Sequence, residues 1–386
     1  MRVHRPRADA PRARRRPFGH ARTDGHAAGR YPRCLPYRRR DEEALSIERV
    51  AAVVDASAGT LFTACVVRVE RKGHVESHAA GTLCPDPSAP PDAPCTVDAI
   101  FDLASLTKLA TTALLLSFIR EHALSLDTPL RELVPDFRGG RKDEVTVAHI
   151  LTHTAGLKWW LPLWEEVHSI DEAVWRVAQE PLAQDLGTFT YSDLGYIMLT
   201  GGLANAGGAA FPDLIAERVS GPIEARTLAY GPRERAECAA TESDASLGRG
   251  RIRGTVHDEN AAAMGGIGGH AGLFGTTADV AGLARVFRDG AVIGNDLARQ
   301  ARTEHAKAEN VRRGLGLALR APKGPMTSER WSMDSYGHTG FTGTSLWIDP
   351  VMDLTVVLLT NRVYFGRAND DAMYKFRIAV HQAAAA

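Results

Sequence analysis

Apolar and polar residues follow two different periods along the chain, and these periods predict where strands and helices lie. Residues 61–83 alternate on both sides of Lys72-Gly73, which predicts a β-hairpin. Residues 336–362 predict two further strands joined at a turn at Asp349-Pro350. Helical spacing predicts helices in 41–59, 106–122, 146–157, the end of 187–208, 211–223, the end of 261–287 (beginning at Thr276 or Thr277) and 370–386.

The order of these elements predicts an α+β architecture, an α/β sandwich. The predicted strands stand near both ends of the folded region, so they have to meet in one antiparallel sheet, with the terminal helices on one face. The long middle segment predicts a second, mainly helical lobe. We expect a sheet lobe from residues 43–102 with 335–386, a helical lobe from 103–334, and a site in the cleft between them.

The composition is that of an ordinary globular protein except at its start. The chain has 386 residues, 44% of them hydrophobic, and a formal net charge of zero. Residues 1–40 hold 13 arginines and two aspartates, so the remainder carries 33 basic and 44 acidic side chains. We expect residues 1–42 to form a disordered tail, either a basic arm for nucleic acid or the result of a start codon placed too far upstream. The acidic remainder predicts no nucleic-acid partner.

Targeting and cysteine patterns point to a cytoplasmic protein. No run approaches 18 consecutive apolar residues, so no membrane span is predicted, and the arginine pair at 15–16 lacks the apolar stretch of an export signal. The five cysteines lack C-x-x-C spacing, which argues against a zinc site. Cys84 and Cys95 flank a proline-rich loop, and they either pair in an oxidising compartment or remain free thiols.

One short motif in an apolar helix carries candidate chemistry. Ser105 stands three positions before Lys108, so both side chains share one face near the first helical turn. A lysine held beside a hydroxyl is a known way to activate a serine nucleophile. The alternative is a structural one, in which Ser105 caps the helix and Lys108 extends to solvent.

Two further motifs follow in a fixed order. They are YSD at 191–193, within FTYSDLGYIML, and HTG at 338–340, within YGHTGFTGTS. Two further segments accompany them, ILTHTAGL and GHAGLFGTTADVAGLARV. Together with Ser105-x-x-Lys108 they resemble the serine β-lactamase and penicillin-binding superfamily over roughly residues 43–386. The nearest branch is the class C-like one, with class C β-lactamases, DD-peptidases, carboxylesterases and D-aminopeptidases. The resemblance implies the β-lactamase/DD-peptidase-like fold and acyl-enzyme chemistry without a cofactor.

The chemistry of acyl transfer assigns roles to these residues. Ser105 is the expected nucleophile, and Lys108 is its expected base if burial and a nearby positive charge keep it neutral, with a pKa several units below about 10.4. By resemblance, Tyr191 shares the base role and protonates the leaving group. The N–H of Ser105 at a helix start is one oxyanion donor, and the resemblance gives the N–H of Phe341 as the second.

Two positions depart from the β-lactamase pattern. Asp193 replaces an asparagine whose amide holds the acylamino group of the substrate, and an ionised carboxylate cannot donate a hydrogen bond. His338 replaces a lysine, and histidine is fully charged only below about pH 6.5, which weakens an anchor for carboxylates. By resemblance, His338, Thr339 and Gly340 form the substrate-binding strand. The departures put efficient antibiotic hydrolysis in doubt.

The sequence leaves three classes of function open. The first is an esterase-like hydrolase that acts on ester or amide bonds of small substrates. The second is a D-aminopeptidase, with Asp193 paired to a substrate ammonium, or a DD-carboxypeptidase or class C-type β-lactamase. The third is a non-catalytic penicillin-binding sensor. The expected partner is a small ester, peptide or β-lactam-like molecule, and the sequence does not fix the oligomeric state.

Other polar and aromatic residues could be functional but also have structural interpretations. His149 and His153 are four apart on one helix but lack the glutamate of a zinc-protease pattern, so no metal role is expected. The segment VHDEN, which contains His257, is expected to brace a loop with hydrogen bonds rather than to form a charge relay. His270 is expected to brace a glycine-rich turn. A tryptophan cluster lines the substrate entrance or packs the lobes: Trp159, Trp160 and Trp164.

Overall fold

The structure, a computed structural model of the chain, describes residues 47–245, 248–324 and 326–386. The predicted tail 1–42 and Cys34 lie outside the described residues. The strands are β1 Ala64–Arg71, β2 His74–Gly81, β3 Phe101–Asp102, β4 Ala229–Tyr230, β5 Ser243–Asp244, β6 Gly250–Arg251, β7 Leu273–Gly275, β8 Ala306–Ala308, β9 Val311–Arg313, β10 Ala318–Leu319, β11 Tyr336–Thr339, β12 Ser345–Asp349 and β13 Leu354–Thr360. The helices are α1 Ile47–Asp55, α2 Thr107–Arg120, α3 Leu130–Leu133, α4 Val147–Leu151, α5 Ile170–Gln179, α6 Leu194–Gly207, α7 Phe211–Ile215, α8 Glu259–Ala263, α9 Thr277–Asp289, α10 Asn295–Ala301 and α11 Asp370–Ala384.

Eight strands form one antiparallel sheet that joins both ends of the described chain. Their order is β2-β1-β13-β12-β11-β10-β9-β8, and β1 pairs with β13 along its length, with Cys65 opposite Thr360 and Arg71 opposite Leu354. The hairpin predicted at Lys72-Gly73 is confirmed, because these two residues join β1 to β2. The α+β architecture and the meeting of the terminal strands are therefore as predicted.

The two faces of the sheet bury different layers, as the period of two residues requires. On β13, Val357 and Leu359 belong to the large core that also contains α2, α6 and α9. Val356 and Leu358 point to the other face, into a second core with Val50 of α1 and buried residues of α11. The terminal helices thus cover one face, and the helical lobe packs on the opposite face.

Helix α2 is the centre of the larger core. Its residues from Thr107 to Phe118 are all buried, including Lys108, so no face of this helix reaches solvent over that length. A helix that is apolar all round is typical of a protein interior. The candidate nucleophile consequently lies just before a helix that is buried in the larger core.

Three local predictions need correction. The segment 336–362 contains three strands rather than two, because the turn after β11, with φ +102° at Gly343, interrupts the extended backbone. Strands β8 to β10 extend the main sheet, although sequence boundaries placed their residues in the helical lobe. The helix predicted over 146–157 ends at Leu151, since His153 takes a left-handed φ of +58°.

The described cysteines and helices bear on two remaining expectations. Cys65, Cys84, Cys95 and Cys238 are all free and buried, so the alternative of a Cys84–Cys95 disulfide is not realised. The thiol of Cys84 donates to the Ala89 carbonyl, whereas that of Cys95 contacts the Cys65 carbonyl. In the described ranges no helix combines the length and the apolar character needed to cross a membrane.

Candidate active site

Ser105 occupies a tight turn immediately before α2. Residues 104–106 form a 3₁₀ turn, and Ala104 has a left-handed φ of +46°, a conformation that costs free energy for a residue with a Cβ atom. The buried carboxylate of Asp102 holds this turn, because one oxygen accepts from the Ala104 N–H at 2.8 Å and the other from the His257 N–H at 2.7 Å. The strain is therefore localised at the residue before the hydroxyl.

The Lys108 ammonium lies beside the Ser105 hydroxyl. Its Nζ donates to Ser105 Oγ at 2.8 Å and to the His270 carbonyl at 3.1 Å, and the side chain is fully buried. Asp193 Oδ1 approaches the same nitrogen at 2.7 Å as an ion pair, although its angles are not those of a hydrogen bond. The structural alternative, with Lys108 extended to solvent, is thus wrong.

The ion pair reverses the expected charge state of Lys108. Burial lowers the pKa of this ammonium, but the charges of Asp193 and Tyr191 outweigh burial and raise its pKa above the ordinary value. The expectation of a neutral lysine with a depressed pKa is therefore corrected. Lys108 is protonated in the resting site because the carboxylate that replaces the asparagine is in contact with it.

Tyr191 lies in the irregular segment before α6, close to two cationic side chains. Lys108 Nζ lies 5.2 Å from its ring centroid, and the Arg313 guanidinium lies 5.4 Å from the same centroid. The ring of His153 lies 4.5 Å away, and its Nδ1 accepts from the Ser192 N–H at 3.1 Å, which fixes the segment. His153 therefore has a positioning contact rather than a metal-binding one.

The HTG motif forms the end of β11, and its histidine carries no charge. His338 is buried, its Nδ1 donates to the Thr339 carbonyl at 2.9 Å, and its Nε2 has no partner among the described residues. Burial, together with the positive charges of Lys108 and Arg313, holds the pKa of His338 well below its usual range. His338 therefore offers a substrate carboxylate even less positive charge than a surface histidine would, which strengthens the expected loss of a cationic anchor.

The turn after β11 is fastened to the turn that carries Ser105. Thr342 Oγ1 donates to the Asp102 carbonyl at 2.8 Å and Thr344 Oγ1 to the Leu103 carbonyl at 3.0 Å. A Cβ at Gly340 would lie 2.7 Å from the same Leu103 oxygen, so only glycine permits this approach. The Phe341 N–H donates to no group in the described parts of the chain. These contacts place an unused N–H next to the nucleophile turn.

A cavity of about 540 Å³ opens in front of Ser105. Its walls combine aromatic rings with charged side chains, and they include Trp159, Trp160, Tyr191, Asp193, His257, Thr339, Gly340, Phe341, Arg362, Arg367 and Arg377. Trp159 and Trp160 stack with centroids 5.4 Å apart, and Trp159 is 66% exposed. Trp159 and Trp160 thus lie on the cavity wall, so their lining of a substrate entrance stays a prediction, whereas Trp164 packs against Trp160 with the two rings tilted by 48°.

The histidines outside the motifs brace loops, as predicted. His257 Nε2 donates to Glu242 at 2.8 Å, and its ring stacks on that of Phe341 with centroids 5.8 Å apart. His270 Nε2 donates to Asp258 at 3.0 Å, while the His270 carbonyl accepts a hydrogen bond from Lys108 Nζ. No hydrogen bond joins His257 to Ser105 among the described residues, and the Ser105 hydroxyl is bonded to Lys108 instead, so His257 braces its loop rather than forming a charge relay.

The family assignment rests on a match that spans most of the chain. The family model described as Beta-lactamase matches residues 58–379, which is most of the chain. The chain belongs to the Beta-lactamase family. The expectation of a serine hydrolase of this superfamily is confirmed at that level, and so is the predicted fold.

Relatives of this β-lactamase-family chain carry several names. A protein of Salmonella agona (strain SL483) named "Putative D-alanyl-D-alanine carboxypeptidase" is 28% identical over 334 residues, covering 77% of this chain and 76% of the relative. One of Escherichia coli (strain K12) with the same name is 28% identical over 304 residues, covering 69% and 70%.

Solved structures share the fold at lower identity. That of "EstCE1, a hydrolase with promiscuous acyltransferase activity" has a TM-score of 0.72 at 22% identity and covers 88% of this chain and 98% of its own. A class C beta lactamase from Rhodobacter sphaeroides has a TM-score of 0.69 at 18% identity, with 87% and 98% covered. At these identities the likeness establishes the fold alone.

Four arginines at the site were not predicted from the sequence, namely Arg313, Arg362, Arg367 and Arg377. Arg313 contacts Tyr191 from β9, and Arg377 on α11 donates to the Gly340 carbonyl at 2.9 Å behind the HTG turn. Arg362 stands over the Phe341 ring at 4.7 Å. None lies in a recognisable motif, because each reaches the site through the pairing of distant strands or the docking of the last helix. No local sequence signal distinguishes them from surface arginines.

Proposed function

We propose that this chain is an esterase-like serine hydrolase that forms an acyl-enzyme on Ser105. The observation that carries the proposal is the contact of 2.8 Å between Lys108 Nζ and Ser105 Oγ at the floor of the cavity. In this proposal Ser105, Lys108 and Tyr191 are the reacting groups. Phe341 and Ser105 supply the oxyanion N–H donors, and Thr339 and Gly340 border the bound substrate.

The proposed reaction has two acyl transfers. Ser105 Oγ attacks the ester carbonyl and its proton passes to the Lys108–Tyr191 unit, where the Tyr191 phenolate takes it because Lys108 is already protonated. The carbonyl oxygen becomes an oxyanion and accepts from the two backbone N–H groups. The ester C–O bond then breaks, and the Tyr191 hydroxyl protonates the departing alkoxide oxygen. In the second transfer water attacks the acyl carbonyl and gives its proton to Tyr191, the acyl–Ser105 bond breaks, and Tyr191 returns the proton to Ser105 Oγ.

The surroundings of the nucleophile support uncharged acyl esters as substrates. His338 provides no positive charge for a carboxylate, and its side chain borders a smaller cavity rather than the one in front of Ser105. Asp193 is engaged by Lys108, so it neither donates to an acylamino group nor remains free to bind a substrate ammonium. Trp159, Trp160 and Phe341 offer apolar walls for the acyl group.

A DD-carboxypeptidase is the second candidate, because two relatives of similar length bear that name. This candidate requires a cationic group near the scissile bond for the carboxylate of the peptide. Arg377 is a buried cation on the cavity wall, with a pKa lowered to about 9 by burial and by the charge of Arg362, so it remains charged at neutral pH. The ester preference and the peptide preference therefore make opposite predictions for anionic substrates.

Turnover and labelling of the purified chain test the proposal. We expect p-nitrophenyl butyrate to be hydrolysed with repeated turnover, and a fluorophosphonate to add one mass increment that maps to the peptide with Ser105. Ser105→Ala should lose both, whereas the exposed Ser88→Ala should keep both. Labelling that persists in Ser105→Ala would refute the nucleophile assignment. A single acylation without turnover would indicate the sensor class, and faster cleavage of a D-alanyl-D-alanine peptide would favour the second candidate.

A further inference from the structure

Arg313 is a half-buried cation whose charge has no acidic partner among the residues that the structure describes. Its guanidinium lies between two aromatic rings, with its central carbon 5.0 Å from the Phe189 centroid and 5.4 Å from that of Tyr191. No hydrogen bond or ion pair of this guanidinium is formed with any described residue, and its Nε is buried without a partner. The next arginine behaves differently, because Arg312 donates to Glu304 and to the Arg320 carbonyl.

A charge that is partly removed from water without an acidic partner costs free energy, and Arg313 is such a charge. Burial lowers the pKa of Arg313 from its ordinary value, which expresses this cost. The cation–π contacts with Phe189 and Tyr191 recover part of it. A leucine or methionine between the same rings would pack without the penalty of desolvating a charge.

The other groups that face Tyr191 supply no free positive charge. Lys108 on α2 is paired with Asp193. His153 has its pKa held well below the usual range by burial and by Arg313, and His338 on β11 is in the same state. Tyr196 on α6 bonds to Thr112, and burial raises the pKa of Tyr196 to about 12.

Arg313 is thus the one cation in contact with the Tyr191 ring, among the residues that the structure describes, that no carboxylate compensates. A cation at this range favours the negative form of a phenol over the neutral form. The effect is large where the intervening space is protein rather than water.

We infer that Arg313 is a positioning residue of the reaction, whose charge stabilises the phenolate of Tyr191 and so makes it available as the proton acceptor for Ser105. The inference rests on the role given to Tyr191 in the proposed function. Because His338 is neutral and Lys108 is paired, the strand β9 provides the charge that the HTG motif lacks in this chain.

The pH dependence of ester hydrolysis tests this role. With p-nitrophenyl butyrate, which has no carboxylate, we compare kcat/KM against pH for the wild type, Arg313→Gln and Arg313→Met. Loss of the cation makes the phenolate harder to form, so the acidic limb should move to higher pH by about one unit. The rate at neutral pH should fall about tenfold and recover at alkaline pH.

Two further variants separate charge from shape. Arg313→Lys keeps a cation, so the acidic limb of its pH profile should lie within a few tenths of a pH unit of that of the wild type. This variant also preserves the test if the other variants fold poorly. Arg312→Gln is the matched control next to it and should leave the profile unchanged. The ultraviolet absorbance of phenolate gives a direct readout. The titration step that is missing in Tyr191→Phe belongs to Tyr191, and its midpoint should move to higher pH in Arg313→Gln.

Failure of the inference can be told apart from failure of the proposed function. If Tyr191→Phe retains full activity, the role of Tyr191 is wrong. If Tyr191→Phe is inactive but Arg313→Gln keeps the acidic limb in place, the present inference alone is overturned.

Arg313 also borders a second cavity of about 200 Å³ with Tyr191 and His338. A loss in Arg313→Gln that appears only as a raised KM for anionic substrates would assign this arginine to substrate binding instead.

Discussion

Asp193 Oδ1 lies 2.7 Å from Lys108 Nζ, so the acidic residue of the YSD motif and the fully buried basic residue of the S-x-x-K motif form one ion pair. The sequence suggested two separate roles, a neutral lysine and a carboxylate facing the substrate. The contact removes both, because it keeps Lys108 protonated and neutralises the charge of Asp193. In the mechanism we propose, proton acceptance therefore falls to Tyr191, and we expect repulsion of anionic substrates by Asp193 to be weak.

Removal of one partner of this pair should destabilise the protein. Asp193→Asn leaves a buried ammonium without its carboxylate partner, and we expect the free energy of unfolding to fall by about 3 kcal/mol at pH 7. Burial then depresses the pKa of Lys108, so the defect should shrink as pH rises towards about 10, where the unfolded lysine also loses its proton. Urea unfolding at pH 7 and pH 10 measures this. Asp185→Asn, at an ion pair with an 83% exposed carboxylate, should change stability by less than about 0.5 kcal/mol.

Substrate choice should respond to the two departures from the β-lactamase pattern. Asp193→Asn combined with His338→Lys restores an amide donor and a cation, so we expect the ratio of kcat/KM for nitrocefin to that for p-nitrophenyl butyrate to rise at least about tenfold. The wild type should favour the ester. A wild-type preference for nitrocefin would contradict the ester proposal, and an unchanged ratio in the double variant would show that these positions do not select the substrate.

Lys108 and Tyr191 should act as one unit in catalysis. Lys108→Met and Tyr191→Phe should each lower kcat by about a hundredfold or more. Together they should cost little more than either alone, since the groups share one proton-transfer task. A double-mutant cycle on p-nitrophenyl butyrate, with circular dichroism to verify folding, provides the measurement. Losses that multiply would show that the two residues work independently.

Acid should remove the contribution of Glu242 to stability. Partial burial opposes its ionisation, but hydrogen bonds from His257 and Arg367 outweigh burial and lower the pKa of Glu242 to about 2. Since the folded-state pKa lies below the ordinary value, the stabilisation is complete above about pH 5 and is lost as pH falls towards 2. Glu242→Gln should therefore cost about 2–3 kcal/mol at pH 7, and this deficit should narrow between pH 5 and pH 3. The exposed Glu165→Gln should show no such trend.

The tryptophan pair should select for apolar acyl groups. Trp159→Ala removes an exposed wall of the cavity, so kcat/KM for p-nitrophenyl octanoate should drop about fivefold, and that for the acetate should hardly change. Trp175→Ala is the control, because Trp175 is 55% exposed on α5 and does not border the cavity. Equal losses for both chain lengths would mean that Trp159 supports the fold of the entrance rather than binding the acyl chain.

Much of the fold could be read from local patterns. The hairpin at Lys72-Gly73, the N-cap of α9 at Thr276 and the closing helix all lie where apolar periodicity and turn residues predicted them. The strands β8 to β10 were missed, because they are two or three residues long and carry no alternation that a sequence pattern can show.

The proximity of Ser105 and Lys108 is a property of the sequence itself, because residues three apart on a helix are neighbours in any fold. The charge state of that lysine is not such a property. It depends on Asp193, which α6 brings to α2 across 85 positions, and on burial that only the packed core provides. Likewise Arg313 and His338 meet Tyr191 through strand pairing and lobe packing. The sequence determined which chemical groups are present, whereas the tertiary structure decided their charges, because electrostatic energies depend on distance and burial.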